Sequence, residues 1–446
     1  MLDLLPVRIS STKNLINIDN MKQNHFTLSF VTGLVMLVSL ASCSSHENDS
    51  PDNVMYMMPE AKTMQLTVQQ KALVADNNDF SFNLFRTINS QAKAPESRIV
   101  SPISVTYLLG MLNNAATGET QAEITNTLGF SGKTAKEINE LCQTMMTQAP
   151  TLDKQVTIET ANAIYTNKGY SLNKQFAQDM ADYYKASAKS LDFSTTKALN
   201  EINDWAKSQT HGMIPQLLDK LSPRAVAYLL NAVYFQAKWT RQFDAKDTQK
   251  EEFTTEDGRK TKVAMMHNKA RAVCTANDTY STLCLPYGSG TVWNMMVLLP
   301  HEGKTVDDVI ASLSSEKWRE NIRQMTAKEL DIKMPKFNTD TTTDLIEILK
   351  QMGIKSAFDS KHAQMPNLCD NINVYISNIM QKARIEVSEE GTKATAVTVA
   401  ELTNTSVGPD PIDIEKGEFH ANRPFVYLIT ENNSDAIFFI GVYQGE

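Results

Sequence analysis

Behind Gly391 runs a row in which every second residue is small: Thr392, Ala394, Ala396, Thr398 and Ala400. The residues between them, Lys393, Thr395, Val397 and Val399, are long, β-branched or charged. That is the two-residue period of a strand. The segment holds no Pro or Gly after Gly391, yet its small row carries too little apolar surface to anchor a core strand. The chemistry open to it is backbone hydrogen bonding: small side chains let a strand slide between strands already packed, where bulk would clash. Gly391, preceded by Glu389 and Glu390, has the backbone freedom a hinge requires.

Other constellations fail on spacing. Gly303-Lys304-Thr305 copies the end of a phosphate-binding loop, but Leu298 stands where its first glycine is needed. There is no His-Glu-x-x-His, Gly-x-Ser-x-Gly or Cys-x-x-Cys. The 7 histidines are scattered, and the 21 methionines are interleaved with aliphatic residues, as core filler is. No catalytic residue, metal or cofactor is expected, so the chain does not read as an enzyme. Its net charge of -8, with no stretch dense in Lys or Arg, argues against a nucleic-acid partner.

The elements that must position the hinge come next. At Phe419-His420-Ala421-Asn422-Arg423-Pro424-Phe425, followed by apolar and β-branched residues to Ile429, an X-Pro step reads as a turn into a buried strand. Residues 401–418 between the two motifs are polar, hold Gly408, Pro409, Asp410 and Pro411, and lack a helical period. Loops that long are usually functional or disordered.

A Glu-Glu-Gly-Thr hinge with alternating small residues, then Phe-x-Ala-Asn-Arg-Pro-Phe close to the C-terminus, resembles the serpin family of protease inhibitors. The resemblance runs through Ser101-Pro102-Ile103-Ser104, residues 202–205, 210–214 and 229–239, and covers roughly Thr67 to Gly445, so that 64–446 is expected to be one domain. It implies an α+β fold: a large central β-sheet, smaller sheets, helices and an exposed reactive-centre loop. The implied activity is inhibition of serine proteases, with cysteine proteases as a second class. The target cuts the loop and is held as its acyl-enzyme while the loop inserts into the sheet. The inhibitory hinge then comprises Glu389, Glu390, Gly391, Thr392, Ala394, Ala396 and Thr398. Ser101, Ser104, Asn231 and Gln381 map to the shutter beneath the sheet, and Trp239 to the breach where the loop enters. Read locally, Ser101 and Ser104 could equally be an N-cap and a turn. Gln381 stands where the family most often has His; it can donate and accept a hydrogen bond but cannot titrate. Residues 362–367 also depart from the family's acidic pattern.

The family's interval from Glu389 puts the scissile bond at Thr405-Ser406, with Leu402-Thr403 and Thr403-Asn404 as alternatives. No Arg or Lys lies between Ala394 and Ile414, so elastase-, chymotrypsin- or subtilisin-like targets are expected over trypsin-like ones. The alternative is a non-inhibitory serpin-fold binding protein or chaperone, which the small hinge row disfavours. A monomer is expected.

Along the chain, helices are expected at 75–88, from near Ser104 to Gly118, and at 119–128, 173–184 and 344–352. Strands are expected at 157–165, 293–300, 330–337 and 374–387. At the N-terminus, Met21-Lys22 and the uncharged, mostly apolar run 26–42, closing on Cys43, read as a signal peptide over 1–42, with Met21 as an alternative start. A small-residue run ending in a single Cys resembles a bacterial lipobox, which implies lipid on Cys43. Residues 43–63 are then the lipidated Cys and a flexible tether. Ser44 resembles outer-membrane sorting, so the domain is expected at a bacterial outer membrane or its surface. Of Cys142, Cys274, Cys284 and Cys369, the pair 274 and 284 could face each other across a hairpin, or all four could be buried free thiols.

Overall fold

Strand Ala227–Lys238 is apolar or aromatic at most positions because both its faces are covered, as central strands of closed-over sheets require. Leu229, Val233, Phe235 and Ala237 enter the main core; Tyr228, Leu230 and Ala232 enter a second core with Ile202 and Ala206 of helix Thr196–Gln209. The computed structural model describes residues 61–92, 95–370, 372–392 and 415–445.

Within them, the strand lies in a six-stranded sheet. The order is Phe337–Asp344, Asn378–Ser388, Gly391–Thr392, Ala227–Lys238, Val156–Asn167 and Ser187–Leu191. A nine-stranded sheet carries the rest, its middle built from Ile437–Tyr443, Phe425–Glu431 and Trp293–Pro300, which are buried throughout. The turn at Pro424 therefore does lead into a buried strand.

Helix Val68–Ser90 starts earlier than the periodicity suggests because Thr67 and Gln70 form a reciprocal cap. Helix Pro102–Ala115 begins at Pro102, which fits a first helical turn and sets Ser101 and Ser104 under the sheet. The strand expected at 374–387 is Asn378–Ser388, and the helix expected at 344–352 is Ile346–Gln351, because Asp344 still ends a strand. The polar stretch expected to run to 418 is interrupted earlier: Lys416–His420 pairs in parallel with Thr326–Pro335.

One local reading is corrected. Cys274 and Cys284 do not face each other; the ladder pairs Cys274 with Leu283 and Val273 with Cys284, a one-residue offset that puts the two thiols on opposite faces. All four described cysteines are free. Thr305, at the end of the phosphate-loop lookalike, instead caps helix Val306–Ser312 reciprocally with Asp308.

Candidate functional site

The central sheet is split. Strands Asn378–Ser388 and Ala227–Lys238 pair in parallel only from Asn378↔Tyr228 to Ala383↔Val233. Above that point they part, and the two-residue strand Gly391–Thr392 sits between them, antiparallel to both. The chain reaches this seat by a reversal at Glu389 and Glu390.

Gly391 is required there by space. Its φ is +144°, and a Cβ would lie 2.1 Å from the Ala237 carbonyl oxygen and 2.6 Å from the Lys238 Cα. No side chain fits so close to a neighbouring backbone. Thr392 is fully buried, with its hydroxyl 2.7 Å from that of Tyr287. Tyr287 in turn stacks on Trp239 with ring centroids 4.4 Å apart, and burial pushes its phenol well above the ordinary range.

The reversal is fastened by backbone and charge. The Trp239 and Phe243 amides donate to the carbonyls of Glu390 and Glu389, each at 2.9 Å, and the Trp239 indole N–H donates to the Ser388 carbonyl at 2.9 Å. Lys336 Nζ lies 2.8 Å from Glu389 Oε2, and the Thr248 hydroxyl donates to Oε1 at 2.9 Å. Burial opposes ionisation of Glu389, but the hydrogen bond from Lys336, its own backbone N–H, the Thr248 hydroxyl and the Lys336 charge outweigh it. They hold the carboxyl below the usual carboxylate range.

Below the split, the buried Gln381 amide joins the two strands to the helix beneath. Its oxygen accepts from the Ser101 amide at 2.8 Å; its nitrogen donates to the Ser101 carbonyl at 2.9 Å and to Asn231 Oδ1 at 3.2 Å. Asn231 donates to Asn162 Oδ1 at 3.0 Å. Ser101 occupies the N-cap position of its helix but makes no side-chain cap; its hydroxyl donates to Ser104 at 3.0 Å. Every member is neutral, so the link is strong only while fully satisfied.

The expected residues Ser101, Ser104, Asn231 and Gln381 thus meet in one network, and Glu389 to Thr392 meet Trp239 in another. Asn162, Tyr287, Phe243 and Lys336 were not singled out in the sequence. Asn162 and Tyr287 reach their sites through strand register, and Phe243 and Lys336 from the links that follow strands Ala227–Lys238 and Thr326–Pro335, neither of which a local pattern marks. Ala394, Ala396, Thr398, Leu402, Thr403, Asn404, Thr405, Ser406 and Cys43 lie outside the described residues. Among the described residues no cluster of His, Cys, Asp and Glu could hold a metal, and no helix is long and apolar enough to cross a membrane.

A family model described as "Serpin (serine protease inhibitor)" matches residues 75–444. The chain belongs to the serpin family. It is similar to glia-derived nexin of Rattus norvegicus, 30% identical over 380 residues, covering 82% of this chain and 91% of that one. A serpin-like protein of Thermococcus kodakarensis is 29% identical over 375 residues, covering 84% and 85%. Among solved structures, the native state of the thermophilic serpin tengpin superposes with a TM-score of 0.76 at 28% identity, covering 87% of this chain and 97% of that one. Human thyroxine-binding globulin, solved with its hormone, superposes with a TM-score of 0.77 at 27% identity, covering 85% and 100%. The α+β serpin fold expected from the sequence is therefore the fold of this chain, and its family is typically inhibitory rather than enzymatic.

Proposed function

We propose that this serpin is an inhibitor that traps proteases by inserting its cleaved loop along the split already opened by Gly391–Thr392. The observation that carries the reading is the register. Thr392 lies opposite Val387 on one side and Ala237 on the other. Each further residue steps one place back along both neighbours. Ala394 then falls opposite Ile385 and Phe235, Ala396 opposite Ala383 and Val233, and Glu401 opposite Asn378 and Tyr228. Those last two couples are the pairs that now join the strands directly. The neighbours therefore need only part sideways by about one strand spacing, ~4.8 Å, with no slide along their length.

Small residues suit this path because Ile385, Phe235, Ala383 and Val233 are already packed into the main core. On the same register Thr398 arrives between Gln381 and Asn231. Its hydroxyl can accept from one and donate to the other, replacing the bond that insertion breaks. Insertion exchanges the 6 parallel pairs for two antiparallel ladders. A net gain of roughly a dozen backbone hydrogen bonds at ~0.5–1.5 kcal/mol each supplies a driving force on the order of 10 kcal/mol. A displacement of about 1 Å in the protease's catalytic groups can cost ~10²-fold in rate, so a protease dragged along and deformed cannot complete deacylation.

The bond attacked is Thr405-Ser406, with Leu402-Thr403 and Thr403-Asn404 as alternatives, and the target is elastase-, chymotrypsin- or subtilisin-like, for want of any basic residue between Ala394 and Ile414. Cysteine proteases form a second class of target, and the chain acts as a monomer. Lipid on Cys43 holds the domain at a bacterial outer membrane; labelled palmitate should be incorporated by the wild type and not by Cys43→Ser. The test of inhibition is to mix the domain with each protease class and look for SDS-stable adducts, reading the released C-terminal peptide by mass. An adduct with a peptide starting at Ser406 supports the reading. Cleavage without adduct by every protease instead favours a non-inhibitory binding protein.

A further inference from the structure

Behind the hinge anchor lies a cavity of about 470 Å³, within the range of ~300–1,000 Å³ typical of small-molecule sites. Phe243, Leu285, Met296, Ile322, Met325 and Ile332 give it an apolar interior. Among the described residues its only charged lining groups are Arg241 and Arg271, with no carboxylate and no lysine. Both arginines are exposed, and neither makes an ion pair or side-chain hydrogen bond among the described residues. Glu329 faces Arg271 across the ladder, but its carboxylate pairs with Lys416 at 3.8 Å. Val273, at 42% exposure one of three large apolar residues so exposed among the described ones, also lines the cavity.

An apolar chamber whose charges, among the described residues, are two guanidinium groups without an ion pair is complementary to an amphiphile with an anionic head. Guanidinium binds carboxylate through paired, charge-assisted hydrogen bonds, while the chamber removes the apolar body from water. We propose that this cavity is a binding site for a small amphiphilic organic monoanion of the medium-chain carboxylate kind, held at its head by Arg241 and Arg271. The proposal does not rest on protease trapping, although Trp239 and Phe243 of the hinge anchor line the cavity.

Titration calorimetry of the intact domain with decanoate tests this, with decan-1-ol and decyltrimethylammonium as neutral and cationic counterparts. Decanoate should bind saturably, one per chain. Losing its charge-assisted bonds in Arg241→Ala/Arg271→Ala should weaken it at least about tenfold, and the alcohol should bind both proteins equally weakly. Ala272→Phe, which fills the chamber, should abolish binding; because both arginines are exposed, their variant keeps the test free of packing damage. Absence of saturable decanoate binding overturns the proposal. So does equal binding of the cationic amphiphile, or binding unchanged in both variants. If the arginine variant alters only the self-association of the chain by sedimentation, the cavity belongs to a contact between copies and the proposal falls.

Discussion

Replacing Thr392 by arginine tests the insertion mechanism at its first step. Thr392 is fully buried, and its hydroxyl makes a neutral hydrogen bond to Tyr287 at 2.7 Å. A guanidinium left in that seat costs several kcal/mol in desolvation, with about 1–3 kcal/mol more for overpacking. Swinging the hinge out instead forfeits the ladder bonds on both sides. A hinge expelled in this way must bury the guanidinium again as the loop inserts, which raises the barrier by at least ~4 kcal/mol and slows insertion about 10³-fold. If insertion normally outruns deacylation by ~10²-fold, a thousandfold loss reverses the order, and the variant is released cut. Gel analysis of protease mixtures should show nearly complete conversion to cleaved chain, where the wild type yields an SDS-stable adduct. Lys393→Ala, which leaves the small-residue row intact, should keep the adduct. Wild-type adduct yield from Thr392→Arg would refute the reasoning.

Gly391→Ala forces a Cβ into the Ala237 carbonyl and a φ of +144° on alanine, so it should expel the hinge strand and lower native stability by about 2 kcal/mol or more, read by urea unfolding. Glu389, whose carboxyl is held below its ordinary value of 4.5, stabilises the anchor at every pH above that value and loses this contribution as pH falls through the lowered pKa. Trp239 fluorescence should therefore report hinge release below about pH 4.5, and Lys336→Met should move that release to higher pH. Gln381→His places a titratable ring in a buried neutral network. Burial lowers the folded-state pKa of such a ring, so the stability that the variant loses relative to the wild type should grow as pH drops through ~6.5, read by urea unfolding of both chains.

The reversal at Gly391 and the Pro424 turn were legible because their signals are local: a glycine behind two acidic residues, and an X-Pro step ahead of a β-branched run. Residue types alone could not assemble the Gln381 network. Ser101, Asn231 and Gln381 are distant in sequence and meet only because Gln381↔Asn231 is a ladder pair; the family resemblance, not any spacing, pointed to them. Asn162 joins them through another register, Asn162↔Asn231, that leaves no trace in the chain. The cysteine hairpin shows the same limit from the other side. Its ladder pairs Val273 with Cys284, so a single residue of offset reversed the face on which Cys274 points. Thr67 and Gln70 carried a legible cap that lengthens the first helix, but apolar periodicity alone does not see it.

The central claim is that the cut loop becomes the strand between Asn378–Ser388 and Ala227–Lys238. A crystal structure of the loop-cleaved chain measures this directly. The account predicts residues 392–401 antiparallel to both neighbours, Ala396 between Ala383 and Val233, and the Thr398 hydroxyl between Gln381 and Asn231. A cleaved chain that keeps the 6 pairs from Asn378↔Tyr228 to Ala383↔Val233, with no new strand between them, would contradict it.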